Sequence, residues 1–193
     1  MIFRELNNKL YKITLPVSIT EDEFLKKQKN GSVKFIKVNP ENLPTVPDDE
    51  QRHFSEIFYM FDNNENIVID YERTVEEWIN EKYSQTKNHI YKYYSQIKQA
   101  SDQADKEYYS TLLKANGVQN LEATIASIVS KYYDGQTIDE VLNTIEDLTD
   151  DTREAYLQLL KVGIRVTWVQ RCKSELKKAI EENREPIYPE YPL

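Results

Sequence analysis

Apolar positions recur along this chain with two different rhythms, one close to two residues near the N-terminus and one close to three and a half beyond residue 74. Between residues 75 and 115 the uncharged positions Ile79, Tyr83, Thr86, Ile90, Tyr93, Ile97, Ala100, Ala104 and Tyr108 follow one another at intervals of four and three. That spacing keeps one stripe on one side of a helix, and strands do not produce it. It predicts a single helix over 75–115, roughly 60 Å long at 1.5 Å per residue. Thr74 and Glu77 have the spacing of a capping box at its start, and Asn116-Gly117 supplies a left-handed stop. Tyrosine, threonine and alanine stand where a self-associating zipper carries Leu and Ile, so the seam is expected to pack within the chain, with pairing between copies left open.

Further helical spacing follows. Leu121, Ile125, Ile128, Val129 and Tyr132 mark one element, ended by Asp134-Gly135. Thr137 and Glu140 repeat the capping-box spacing and open a short helix with Ile138, Val141, Leu142, Ile145 and Leu148 on one face. A last helix is predicted over Arg153 to Glu182, with its stripe on Tyr156, Leu159, Leu160, Gly163, Val166, Val169, Cys172, Leu176 and Ile180. Glycine inside a helix costs about 1 kcal/mol against alanine, so Gly163 is expected to admit a close backbone neighbour. This helix is the expected antiparallel partner of the 75–115 rod.

The first 73 residues alternate instead. Leu10 to Leu15 ends at Pro16 and reads as a strand, and Ser32 to Val38 reads as a second, entered by an Asn30-Gly31 turn. Thr20 and Glu23 predict a capped helix between them, with Phe24 and Leu25 as its apolar contacts. Phe54 to Phe61 and Ile67 to Tyr71 form the clearest hairpin, joined by Asp62 to Asn66. Asp62, Asn64 and Asn66 imitate the start of a calcium loop, but Ile67 replaces the required glycine and Arg73 the closing acid, which leaves a polar hairpin tip. The expected fold is α+β: a small β-rich lobe over 1–73, an elongated antiparallel helical bundle with one long helix over 74–183, and an extended tail over 184–193.

Composition narrows the chemistry. The 193 residues carry a net charge of −8, and residues 119–153 hold 2 Lys/Arg against 8 Asp/Glu. No clustered basic patch of the kind that binds phosphate backbones is visible, so no nucleic-acid partner is expected, and a solvated acidic face explains the 134–151 block. No apolar run is long enough to span a bilayer, and Met1 to Glu5 shows no leader pattern. Cys172 is alone and reads as a small buried hydrophobe. The four glycines are too scattered for a phosphate-cradling loop, and His53, His89 and Cys172 do not make a zinc set. No catalytic residue, cofactor or metal is expected.

The C-terminus departs from this pattern. Pro186, Pro189 and Pro192 recur every third residue, matching the three residues per turn of polyproline II, with Tyr188 and Tyr191 on a second edge. A stiff segment with aligned aromatics loses little entropy on docking. Pro186, Tyr188, Pro189, Tyr191 and Pro192 are therefore expected to bind a partner, together with Tyr93 and Tyr94 from the tyrosine-rich rod; folding of the tail back onto its own bundle is the open alternative. The abundance of tyrosine, 14 residues against 6 phenylalanines, suits surfaces that are wet in one state and covered in another.

A β-rich lobe, a helix carrying Gln99-Ala100-Ser101-Asp102-Gln103-Ala104-Asp105, a helical segment with Trp168-Val169-Gln170-Arg171-Cys172 and a proline-punctuated end together resemble small tail-associated and tail-fibre assembly proteins of tailed bacteriophages. The resemblance is one of organisation, without a diagnostic motif. It implies a non-catalytic structural protein or assembly chaperone that binds a larger virion protein or fibre, located in the virion or the host cytoplasm, with self-association left open. The alternative expectation is an acidic phage-encoded inhibitor that occupies the groove of a nucleic-acid-binding host protein.

Overall fold

The computed structural model describes residues 1–28, 33–146 and 148–193. The chain is α+β, with a five-stranded antiparallel sheet at the N-terminus followed by helices and a long C-terminal helix. It divides into two compact units, Met1–Lys82 with Asn183–Glu185, and Tyr83–Glu182 with Pro186–Leu193. The first unit thus extends past the expected boundary at residue 73 to Lys82.

In the first unit, β1 (Ile2–Leu6), β2 (Lys9–Ile13), β3 (Phe35–Lys37), β4 (Tyr59–Phe61) and β5 (Ile67–Ile69) pair in the order β3-β1-β2-β4-β5. β1 is not among the strands expected from the sequence. It pairs with β2 through a two-residue turn in which Asn7 and Asn8 both have positive φ, at 50° and 62°. Asparagine tolerates that region, and two left-handed residues match the twist of a tight hairpin. Phe3, Leu10 and Val38 are buried together, with Tyr59, Phe61 and Ile67 against them. The Asp62 carboxylate accepts from the Asn64 and Asn66 backbone N–H groups and from the Asn66 amide, closing the polar hairpin tip. α1 (Glu21–Gln28) starts at the expected Thr20–Glu23 capping box, and Phe24 meets Phe35 edge-on. The Asn30-Gly31 turn lies outside the described residues.

The expected single helix over 75–115 is two helices, α2 (Tyr71–Tyr93) and α3 (Gln96–Ala115). α2 begins earlier than the Thr74 box predicts. The Asp70 carboxylate accepts from the Arg73 N–H as the cap, and Thr74 is buried, its hydroxyl accepting instead from the Phe58 N–H. The helix ends because Tyr94 turns inward and Ser95 starts a new helix, with an extended backbone and a hydroxyl that accepts from the Lys98 N–H. The Gln99 amide donates to the Tyr94 carbonyl, which the break leaves without a helical donor. The buried face is displaced as well. Thr74, Trp78, Lys82, Thr86, Ile90 and Tyr94 are buried at intervals of four, whereas Tyr83, Ile97 and Tyr108 on the expected seam are 58, 85 and 65% exposed.

In the second unit α3 ends at Asn116, where Gly117 (φ 83°) lets its own N–H and that of Val118 reach back to the carbonyls of Lys114 and Leu113. α4 (Leu121–Tyr133) ends in the same way at Gly135. α5 (Ile138–Leu142) opens on the Thr137–Glu140 capping box but stops short of Ile145 and Leu148. The long helix is α6 (Asp150–Glu181), of 32 residues, which packs against α3, α4 and α5. Leu113, Leu121, Ile128, Val141, Leu142, Tyr156, Leu160 and Ile164 form its main core. Gly163 faces α4, and a Cβ placed there would lie 2.5 Å from Val129 Cγ2, so the close approach expected of it is present.

Candidate functional site

A buried ion pair fixes α3 against α6. Asp102 is 1% exposed and accepts two hydrogen bonds from the Arg165 guanidinium, from Nε at 2.5 Å and Nη2 at 2.8 Å. The Tyr94 hydroxyl donates to Oδ2 at 2.9 Å, and Lys98 Nζ lies 2.8 Å from Oδ1. Burial alone would raise the Asp102 carboxyl, but the hydrogen bonds from Arg165, Lys98 and Tyr94 outweigh it and hold the group below its ordinary range. Burial, reinforced by the bond to Asp102, pushes the Tyr94 phenol up to about 12. Every lone-pair direction of the carboxylate is taken, which makes it a lock and not a proton-transfer group. Cys172, packed with Ile90, Tyr94 and Trp168, is fully buried, and burial pushes its thiol up to about 11, as an inert core residue requires.

The C-terminal tail lies against α2, α6 and the end of α4. The Tyr188 ring stacks on His89 with centroids 4.4 Å apart, and its hydroxyl is 2.6 Å from Thr86 Oγ1. Tyr191 stacks on Tyr93 at 5.4 Å and meets Trp168 edge-on at 5.0 Å. Trp168 Nε1 donates to the Pro189 carbonyl, Tyr132 to the Pro192 carbonyl, and the Ile187 N–H to Glu175. The three-residue period places both tail tyrosines on one edge, where they meet His89 and Tyr93, one turn apart on α2. The alternative left open by the sequence, a tail folded onto its own helices, is the arrangement found. Tyr188, Pro189, Tyr191 and Pro192 are engaged within the chain, and Pro186 is half-buried. Tyr94, expected at a partner surface, is 3% exposed and belongs to the core because its hydroxyl serves Asp102. Tyr93 keeps 42% of its surface exposed, although Tyr191 covers one face of its ring.

Next to the tail, and sharing Thr86 with it, α2 and α6 line an open groove of about 730 Å³. Ile90 of α2 with Val169 and Leu176 of α6 form its floor, while Lys87 stands on one rim and Lys173 and Lys177 on the other. Tyr83 and Tyr91 add aromatic walls. The break at Tyr94 and Ser95 closes one end, because it swings Gln99 into the lining and lets the Gln96 amide donate to the Tyr91 hydroxyl at 2.9 Å.

No protein-family model matches the chain, and comparison with curated proteins and with solved structures found no match. The groove must therefore be read from its own residues. Among the described residues no group of three or more His, Cys, Asp or Glu side chains is gathered as a metal site would need, and no helix is long and apolar enough to cross a membrane. The sequence reading missed Asp102, Arg165, His89 and the lysine rims. The available signal was Arg165 standing in the otherwise apolar run Val162 to Val166, which calls for a buried acid, and Ser95 as a helix-starting residue within the expected rod.

Proposed function

We propose that this chain is a non-catalytic structural or assembly protein of the tailed-phage kind, which holds a larger virion protein through its helical unit. The observation that carries the reading is the open groove beside the strapped α2–α6 pair, where an apolar floor and Tyr83, 58% exposed, stand ready for a macromolecular surface. A contiguous apolar recess edged with polar groups is the usual form of a protein-docking site. Asp102, Arg165, Tyr94 and Cys172, displaced from their ordinary range, are held in the core, and His89, lowered by burial, sits under Tyr188; none of them lines the groove, which favours contact over chemistry. The phage form of the reading rests on a small β lobe ahead of a helical unit and a proline-punctuated end; it no longer draws on a continuous rod.

Affinity capture by the tagged protein from infected native host cells, with mass spectrometry of the eluate, tests this. The expected result is co-purification of one large virion protein, lost in Tyr83→Glu. Capture of no virion protein, or multiple turnovers of a small-molecule substrate by the purified chain, would overturn the reading.

A further inference from the structure

The groove on α2 and α6 is a local exception in an acidic protein. The chain carries 33 Asp and Glu against 25 Lys and Arg, yet the eleven residues that line this recess include three lysines and no carboxylate. Lys87 lies on one side of the floor and Lys173 and Lys177 on the other, so positive charge brackets the apolar strip made by Ile90, Val169 and Leu176. The walls run over residues 83–91 and 169–177, about two helical turns or 12 Å each.

Resting on the reading of the chain as a protein-binding one, we infer that this groove receives an acidic amphipathic helix of the partner, apolar face inward and carboxylates toward the lysine rims. Three features select that occupant. The recess is apolar: half-buried Val169 and Tyr91 and the exposed Tyr83 offer open apolar surface above Ile90 and Leu176, which are buried, so it takes apolar anchors. The rims are exposed: Ser84, Lys87, Lys173 and Lys177 face solvent, so the occupant must present a polar outer face, which a helix has and a lone acyl chain lacks. The lining charge is of one sign on both sides, with Glu181 reaching only Lys177, at 3.7 Å and from outside the lining, which attracts a segment flanked by Asp and Glu and rejects a basic one. The acidic 119–153 stretch of a second copy does not qualify, because its apolar residues, Leu121, Ile128, Val129, Val141 and Leu142 among them, are already packed in their own core.

The test uses the full chain and a fluorescein-labelled peptide of about five helical turns, with leucines at helical spacing flanked by glutamates. Three comparison probes are a scramble of the same composition, a version with lysines replacing the glutamates, and vesicles of phosphatidylcholine and phosphatidylglycerol. Fluorescence anisotropy is expected to show the acidic amphipathic peptide binding at least about tenfold more tightly than the scramble. The double substitution Lys173→Glu with Lys177→Glu, at exposed positions that leave the circular dichroism spectrum unchanged, should abolish that preference and favour the lysine peptide. Raising the salt from about 0.1 to about 0.5 M should weaken the wild-type interaction. Equal affinity for peptide and scramble, indifference to the charge reversal, or charge-dependent binding to the vesicles in place of the peptide would each overturn the inference. If capture of a virion protein persists while the acidic peptide fails, the groove assignment falls and the proposed function stands; loss of capture itself counts against the function.

Discussion

Removing the Asp102 carboxylate while Arg165 stays in place leaves a guanidinium buried between α3 and α6 with no anion to answer it. A buried ion pair contributes little net stability, but breaking one side typically costs about 3–5 kcal/mol. Asp102→Asn should therefore lower the melting temperature sharply, and the double change Asp102→Leu with Arg165→Met should recover much of the loss. A double variant no more stable than the single one would show that the pair adds net stability and is not only a specificity lock. The pH dependence has a definite sign. Because Asp102 is held below its ordinary value, its contribution is complete above about pH 4 and disappears as the pH falls through the folded-state value. An acid titration of the melting temperature should show that added loss in the wild type and not in Asp102→Asn. At this scale the sequence was legible where a side chain acts on its own backbone: the Thr20 and Thr137 caps and the Asn116-Gly117 stop all form where their spacing places them. It was illegible where a residue's role depends on a distant partner, since Tyr94 belongs to the core only once Asp102 and Arg165 meet, 63 residues apart.

Helices α4 and α6 meet where Gly163 presents bare backbone to Val129. Gly163→Ala would gain about 1 kcal/mol of helix propensity, but its Cβ would fall 2.5 Å from a Val129 methyl, so neighbouring atoms must shift. Gly163→Leu cannot be accommodated by such a shift and should destabilise the unit by about 1–3 kcal/mol, read as a lower midpoint in urea with an unchanged slope. An unchanged midpoint would show that Val129 moves aside freely. The glycine's role was readable because a helix-interior glycine is a local anomaly. The phase of α2 was not, since tyrosine and threonine suit either face of a helix. The break at Ser95 rotates α3 relative to the extrapolated stripe, so Ile97, Ala100, Ala104 and Tyr108 fall on an exposed face while Asp102 and Leu113 turn inward. A heptad spacing counted across a break has no physical continuity.

For the molecule as a whole, the division into a β lobe and a helical part followed from hydrophobic period alone, because a two-residue and a near-four-residue repeat cannot bury the same face. The tail was the element whose destination the period could not decide: three prolines and two aligned tyrosines dock equally well on a foreign groove or on the chain's own helices. Its location changes what deletion should do. A tail held by a partner alone would leave the isolated chain's melting nearly unchanged when Pro186 to Leu193 are removed. With Tyr188 on His89, Tyr191 between Tyr93 and Trp168, and the Pro189 carbonyl on Trp168 Nε1, removal uncovers an indole, leaves its N–H without an acceptor and opens three ring contacts. Aromatic pairs contribute about 0.5–1.5 kcal/mol each beyond their buried area, so the loss should reach about 2–4 kcal/mol, or roughly 5–15 °C in melting temperature for a chain of this size. Thermal melts followed by circular dichroism, with Trp168 fluorescence recorded in parallel, check this. The truncated protein should melt earlier with a red-shifted indole, and Tyr188→Ala with Tyr191→Ala should reproduce most of the effect. Unaltered melting and emission in both variants would mean that the strap adds nothing to the fold and that its aromatic edge is available to a partner after all.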